Sequence, residues 1–270
     1  MATKSSYDKI IERIFLSHYA SGANDLPFDR TEITQVARKL GVNLPKNLGD
    51  VIYSYRYRRE LPKAIRSRAP KGKHWIIRPA GIGRYRFVAV DLVDIAPSKA
   101  LTDTKVPDAT PGIIAMYALN DEQALLAKLR YNRLLDVFTG VACYSLQSHL
   151  RTAVPDIGQV ETDEVYVGLS RRGAHYVFPV QAKGRRERIS VVQIEQDLAM
   201  CKAKFPDLLC CPIAAQFMQD KLIAMFALED TKEGVRVAME RHYLLVPPDD
   251  LSKEELEAYR QREPDDGLRL

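Results

Sequence analysis

Residues 158–184, GQVETDEVYVGLSRRGAHYVFPVQAKG, hold two runs of β-branched and aromatic residues around a glycine turn. In the first, Gln159, Glu161, Asp163, Val165 and Val167 alternate with Val160, Thr162, Glu164 and Tyr166, the two-residue period of a strand. The second, from His175 to Lys183, is a further strand, and Arg171-Arg172-Gly173 fits a three-residue hairpin loop with glycine in the left-handed position. If Ser170 and Ala174 close that loop, Asp163 stands opposite Gln181 and Glu161 opposite Lys183, with all four side chains on one face. A slip of one residue would break the arrangement.

Two acids, an amide and a lysine gathered on one sheet face are costly unless they do chemistry. Carboxylate and carboxamide oxygens are hard ligands suited to Mg2+, which keeps several waters and takes only one or two protein carboxylates plus substrate phosphate. A lysine beside a metal-bound water orients it or stabilises the hydroxide, and the metal polarises the phosphoryl oxygen under attack. Asp163 followed by Gln181-Ala182-Lys183 resembles the signature of the PD-(D/E)XK nuclease superfamily: an acid on one strand, then Glu, Asp or Gln, any residue, and Lys on the next. The resemblance covers about 130–260 of the chain. It implies an α/β (α+β) fold with a restriction-endonuclease-like mixed β-sheet flanked by helices. It also implies Mg2+, with Mn2+ as a substitute, held by Asp163, Gln181 and the Ala182 backbone carbonyl, while Lys183 positions the attacking water.

Gln181 stands where the superfamily most often has Glu or Asp, so one ligand charge is missing. Glu161 is the replacement that the hairpin register offers, and Glu195 is second. A helix follows from Ser190 to about Lys204, and Ser190 with Gln193 is a capping-box pair. Superfamily members resembling methyl-directed type IV restriction enzymes pair a QxK lysine with a glutamine on this helix, a place open to Gln196 or Gln193. Pro155-Asp156 matches the literal Pro-Asp of the signature, but the register carries its partner beyond the strand, so it is a decoy.

The charge of the whole chain, +5, hides an asymmetry. Residues 1–90 hold 18 Lys+Arg against 7 Asp+Glu, a net of +11, and residues 91–270 hold 22 against 28, a net of −6. Such a basic third points to a polyanion partner. Its apolar spacing predicts a helix on Tyr7, Ile10, Ile11, Ile14 and Phe15 and a second capped by Thr31 and stopped at Gly41. A third, at about 46–59, carries Leu48, Val51, Ile52 and Tyr55. Two strand-like runs at 75–78 and 84–90 flank a Pro/Gly turn. Between Ser54 and Val90 stand eleven Lys/Arg and one acid, Glu60, interleaved with aromatic residues. The order resembles a winged helix-turn-helix DNA-binding domain. Lys46, Arg56, Arg58, Arg59, Lys63, Arg66, Arg68, Lys71, Lys73, Arg84 and Arg86 are its expected contacts to double-stranded DNA.

Residues 95–110, with two prolines and no apolar period, predict a connection. Two helices are expected next, from Asn120 to Leu129 and from Tyr131 to about Leu150. Apolar runs at 208–215, 221–228 and 235–246 predict further strands, and Ser252 with Glu255 caps a last helix before a frayed tail. The expected division is 1–95 DNA-binding, 96–112 linker and 113–270 catalytic. Cys143, Cys201, Cys210 and Cys211 form no CxxC pair and are expected to be reduced, buried thiols rather than a zinc site. The five histidines show no metal-like spacing, and neither a nucleophile elbow nor a phosphate-cradling glycine loop is present. With no apolar run near a membrane span's ~20 residues and no signal-peptide core, a cytoplasmic protein is expected. Together these features predict a Mg2+-dependent, type II-like restriction endonuclease, acting as a homodimer because each chain carries one site. The alternatives are a DNA-binding regulator with an inactive nuclease-like domain, and a repair or structure-directed nuclease.

Overall fold

In the computed structural model, which describes residues 5–91, 95–119, 122–155, 157–219, 221–232 and 234–262, the expected hairpin is present. Strands β6 (Gly158–Leu169) and β7 (His175–Lys183) pair antiparallel from Leu169↔His175 to Glu164↔Val180, the predicted register. Ser170 and Ala174 close the loop, with Gly173 at φ 81°.

The hairpin lies inside an eight-stranded mixed sheet. Its other members are β4 (Thr104–Pro107), β5 (Ala142–Val154), β8 (Leu209–Cys210), β9 (Ile213–Gln219), β10 (Leu222–Thr231) and β11 (Gly234–Val246). The order is β4-β11-β10-β9-β7-β6-β5, with β8 beside β7, and the β7–β9, β7–β8 and β11–β4 pairs are parallel. All three apolar runs after the motif thus enter the sheet. β7 is buried at every position after His175, because helices cover both faces, and this explains its almost continuous apolar sequence. On one face lie α6 (Glu122–Tyr131) and α7 (Leu134–Thr139), whose Leu125, Leu129, Leu135 and Phe138 pack on Phe178, Val180, Ile213 and Met225. On the other lies α8 (Val191–Lys204). Its Ile194 packs with Ala214, Ala224 and Phe226, and its Met200 and Cys201 with Val160, Val165 and Val177. The four cysteines are free thiols, and the adjacent Cys210 and Cys211 belong to clusters on opposite faces.

Two expectations in this half need correction. The helix predicted from Tyr131 to Leu150 does not form: Gly140, at φ 69°, ends α7 at Thr139, and the next residues are the edge strand β5. Leu134, Leu135, Phe138, Val141 and Leu146 do recur at helical spacing, but a glycine at a left-handed C-cap outweighs that period. The connection at 95–110 contains β4, a short edge strand beside β11, and leads into the short helix α5 (Gly112–Tyr117). The expected helix start at Asn120-Asp121, Asp156 of the decoy pair and the tail from 263 lie outside the described residues.

Close approach of β6 to its neighbours requires Gly168, where a Cβ would stand 2.7 Å from both Phe178 Cε2 and Val141 Cγ1. Gly168→Ala should therefore destabilise the fold by about 1–3 kcal/mol, measured as a lower urea midpoint. An unchanged midpoint would show that this packing relaxes at no cost.

The basic third builds its own core. α1 (Ser6–His18) starts at a reciprocal cap between Ser5 and Asp8 and buries Ile10, Ile11, Ile14 and Phe15. β1 (Asp25–Asp29), not expected from sequence, leads into α2 (Arg30–Leu40). The N-cap of α2 is Asp29 rather than Thr31, with Glu32 bonding back to the Asp29 N–H at 2.8 Å, and Gly41 in the left-handed region ends it as predicted. The expected third helix is shorter, α3 (Gly49–Tyr53), and widens into a π turn over Ser54–Arg58. After the single turn α4 (Lys63–Arg66), β2 (Lys73–Pro79) and β3 (Arg84–Asp91) form the expected hairpin and, with β1, a sheet ordered β1-β3-β2. Phe15 meets Trp75 and Phe87 edge-on, each at 5.1 Å between ring centroids, at the centre of this core. α9 (Lys253–Arg260) starts at the predicted Ser252/Glu255 cap. No described helix is long and apolar enough to cross a membrane.

Candidate functional site

The β6–β7 ladder stops one residue short of Asp163. Val160 and Thr162 face α8, Val160 in that helix's cluster and Thr162 bonded to its Asp197. Glu164 and Tyr166, also even-numbered, face α6, through an ion pair to Arg130 and through the α6/α7 cluster. Strict alternation is therefore broken at Asp163. The interruption puts its carboxylate rather than its backbone at β7, where Asp163 Oδ2 accepts the Ala182 N–H at 2.8 Å.

Lys183, buried at the end of β7, has its ammonium 4.0 Å from Asp163 Oδ2 and 3.4 Å from Glu122 Oε1 at the start of α6. Burial raises the Asp163 carboxyl above its ordinary value, and Lys183 and the Ala182 N–H offset part of that rise. Glu122 is raised in the same way, by burial and then by the negative charges of Glu187 and Asp163, against the pull of Lys183. Two crowded carboxylates flanking one ammonium attract further positive charge. Among the described residues no group of three His, Cys, Asp or Glu side chains forms a cage for a metal ion. Mg2+ does not need one, because it binds through one or two carboxylates and fills its remaining positions with water and phosphate oxygens. Asp163 and Glu122 supply that donor chemistry. Glu122 escapes a motif search because it lies on a helix far from the hairpin in sequence; its contact with Lys183 is the signal.

The remaining expected ligands are engaged elsewhere. Gln181 is fully buried, and its Nε2 donates to Asp197 Oδ2 at 2.9 Å and to the Glu161 carbonyl at 3.4 Å, while its Oε1 accepts from Gln193 Nε2 at 3.2 Å. Asp197, also fully buried, accepts the Thr162 hydroxyl at 2.5 Å, and burial pushes its carboxyl up to about 7. A polar network of this kind, under β6 and β7, is not visible as a sequence motif. Gln193 is thus the helix glutamine bonded to the QxK motif, whereas Gln196 is a further buried residue of α8. Ser190 occupies the N-cap without a side-chain cap bond, so the expected capping box with Gln193 does not form; its hydroxyl donates instead to the Arg56 carbonyl. Glu161 is not gathered with Asp163 and Lys183 as a ligand, since its carboxylate takes His149 and Arg151 of β5. Glu195 forms a two-bond pair with Arg78 of β2.

That last pair joins the basic third to α8, and Arg188 with Glu60 at 2.9 Å adds a second link. Lys46, Arg59, Lys63, Arg66, Arg68, Lys71, Lys73, Arg84 and Arg86 are exposed and Arg56 is half-buried, while the side chain of Arg58 lies outside the described residues. Several also serve the fold: Arg66 pairs with Glu60, Arg86 with Asp25 and Lys73 with Asp91, and Arg68 bonds the Ala64 carbonyl. Comparison of the chain with protein-family models, curated proteins and solved structures found no match.

Proposed function

We propose that the chain is a Mg2+-dependent endonuclease of the PD-(D/E)XK type, most similar to type II restriction enzymes, that hydrolyses phosphodiester bonds in duplex DNA as a homodimer. The observation that carries this is the buried Lys183 ammonium held between the Asp163 and Glu122 carboxylates at an interruption of the β6–β7 ladder. The order of elements supports it: a helix, the motif hairpin, a second helix and further strands. The basic third supports the DNA partner, since α1, β1, α2, α3 and the β2–β3 hairpin follow one another as in a winged helix, with exposed Lys and Arg along them.

Asp163 and Glu122, with the Ala182 carbonyl, are the groups that would hold Mg2+, which supplies charge neutralisation and polarisation of the scissile phosphate. Lys183 orients the attacking water and supports the negative charge on its oxygen as the proton leaves. Gln181 fixes the end of β7 through Asp197 and Gln193 and so positions Lys183 two residues on. The products are a phosphate-terminated strand and a hydroxyl-terminated strand.

One observation favours a DNA-binding regulator with an inactive nuclease-like domain instead: the Gln181 amide is committed to buried partners rather than to a ligand position. A panel of duplex, single-stranded, branched and RNA substrates, each with and without Mg2+, separates the possibilities. Duplex breaks only with Mg2+ support the restriction-type enzyme, and preference for branched substrates supports a structure-directed nuclease. Tight duplex binding with no strand breaks supports the regulator.

A further inference from the structure

His149, in the middle of β5, adopts φ 54°, the left-handed region that side chains other than glycine rarely occupy. It falls between the ladder pairs Ser148↔Glu164 and Leu150↔Thr162, directly across from Asp163. Strain of this sort persists only where its surroundings hold it, and it concentrates at functional positions. The neighbouring group is Glu161, whose Oε1 lies 3.0 Å from His149 Nε2 and accepts from Arg151 Nη2 at 3.1 Å. The side chains of His149 and Arg151 remain 52% and 57% exposed. Exposed ion pairs add little stability, so these contacts do not by themselves account for a strained backbone. They do order an imidazole and a guanidinium, one at the register position across from Asp163 and the other two residues further along the strand.

We propose that Arg151 and His149, ordered by Glu161, form a grip for the phosphodiester next to the one that Asp163 and Lys183 attack. The guanidinium uses one donor on Glu161, and its exposure leaves others for a two-bond contact with phosphate oxygens. Two residues of a strand span ~7 Å, comparable with the separation of successive phosphates along a nucleic-acid strand. Glu161, the acid that sequence offers as a metal ligand, is on this account a tether for these two side chains. The assignment rests on the proposed nuclease function, and its test is a binding measurement that needs neither metal nor cleavage.

Anisotropy of a short fluorescein-labelled duplex, titrated with wild-type protein in EDTA over a range of NaCl concentrations, gives the salt slope of binding. Arg151→Ala should weaken binding about tenfold at moderate salt and reduce the slope by about one, the signature of one lost phosphate contact. Arg151→Lys should recover only part of the affinity, because a point charge lacks the guanidinium fork. His149→Gly, which relieves the backbone, should raise the urea midpoint and yet weaken binding several-fold. A side chain present only for the fold would not combine those two effects. Wild-type affinity and slope in Arg151→Ala would overturn the phosphate grip while leaving the nuclease site standing. A wild-type chain that binds no duplex would instead overturn the nuclease function, and the grip with it.

Discussion

Lys183→Ala is expected to lower Mg2+-dependent cleavage by roughly a thousandfold or more, while duplex binding stays at the wild-type level. The ammonium is buried, and its named partners are two carboxylates, Asp163 and Glu122, neither of which belongs to the apolar clusters of the sheet. Burying a charge is costly unless pairing or function repays it. Removal also leaves Asp163 and Glu122 without the cation that lowers both carboxyls, so the variant should be checked for a native denaturation curve before its activity is compared. Glu122→Gln tests the group that the hairpin alone does not reveal, with an expected loss of roughly ten- to a hundredfold and a higher Mg2+ requirement. Lys183→Ala cutting at the wild-type rate would remove the site from this end of β7.

The second large effect concerns stability and pH. Asp197 has its carboxyl pushed from an ordinary 3.8 up to about 7 by complete burial, so the folded chain holds a proton there that the unfolded chain releases at lower pH. The sign follows from linkage: where the folded state binds more protons, stability falls as pH rises. The contribution of Asp197 is therefore undiminished below about pH 4, is lost progressively between about pH 4 and 7, and is level above that. The total loss is on the order of a few kcal/mol. Asp197→Asn removes the titration while keeping the shape, with Gln181 and Gln193 able to turn their amides to match. The variant should equal or trail the wild type at pH 5 and exceed it at pH 8 in urea-derived stability. Curves that keep a constant separation from pH 5 to 8 would show that Asp197 is not the group responsible.

The hairpin and its register were legible because a two-residue period, a glycine turn and β-branched residues all specify the same pairing. The strands after the motif were legible as apolar runs, continuous in β10, which is buried from Leu222 to Leu228. The interruption at Asp163 was not, since it arises from an acid bonding to a backbone N–H and from His149 taking a left-handed backbone on the next strand. That local event decides which side chains meet: it brings Lys183 to Asp163 and Glu122, and leaves Glu161 to β5. Apolar spacing misled across Tyr131 to Leu150, where one glycine turned a helical period into a helix and an edge strand. Glu122 and Asp197 have no local signature, because each acquires its role from an element that only the tertiary fold places beside β7.

The most direct test of the account is single-turnover cleavage of duplex DNA by the purified chain with Mg2+ and with EDTA, run beside Asp163→Ala. Mg2+-dependent strand breaks by the wild type, absent in EDTA and absent in a folded Asp163→Ala variant that still binds the duplex, are the predicted result. Breaks of equal rate in Asp163→Ala, or wild-type cleavage that is indifferent to Mg2+, would contradict it.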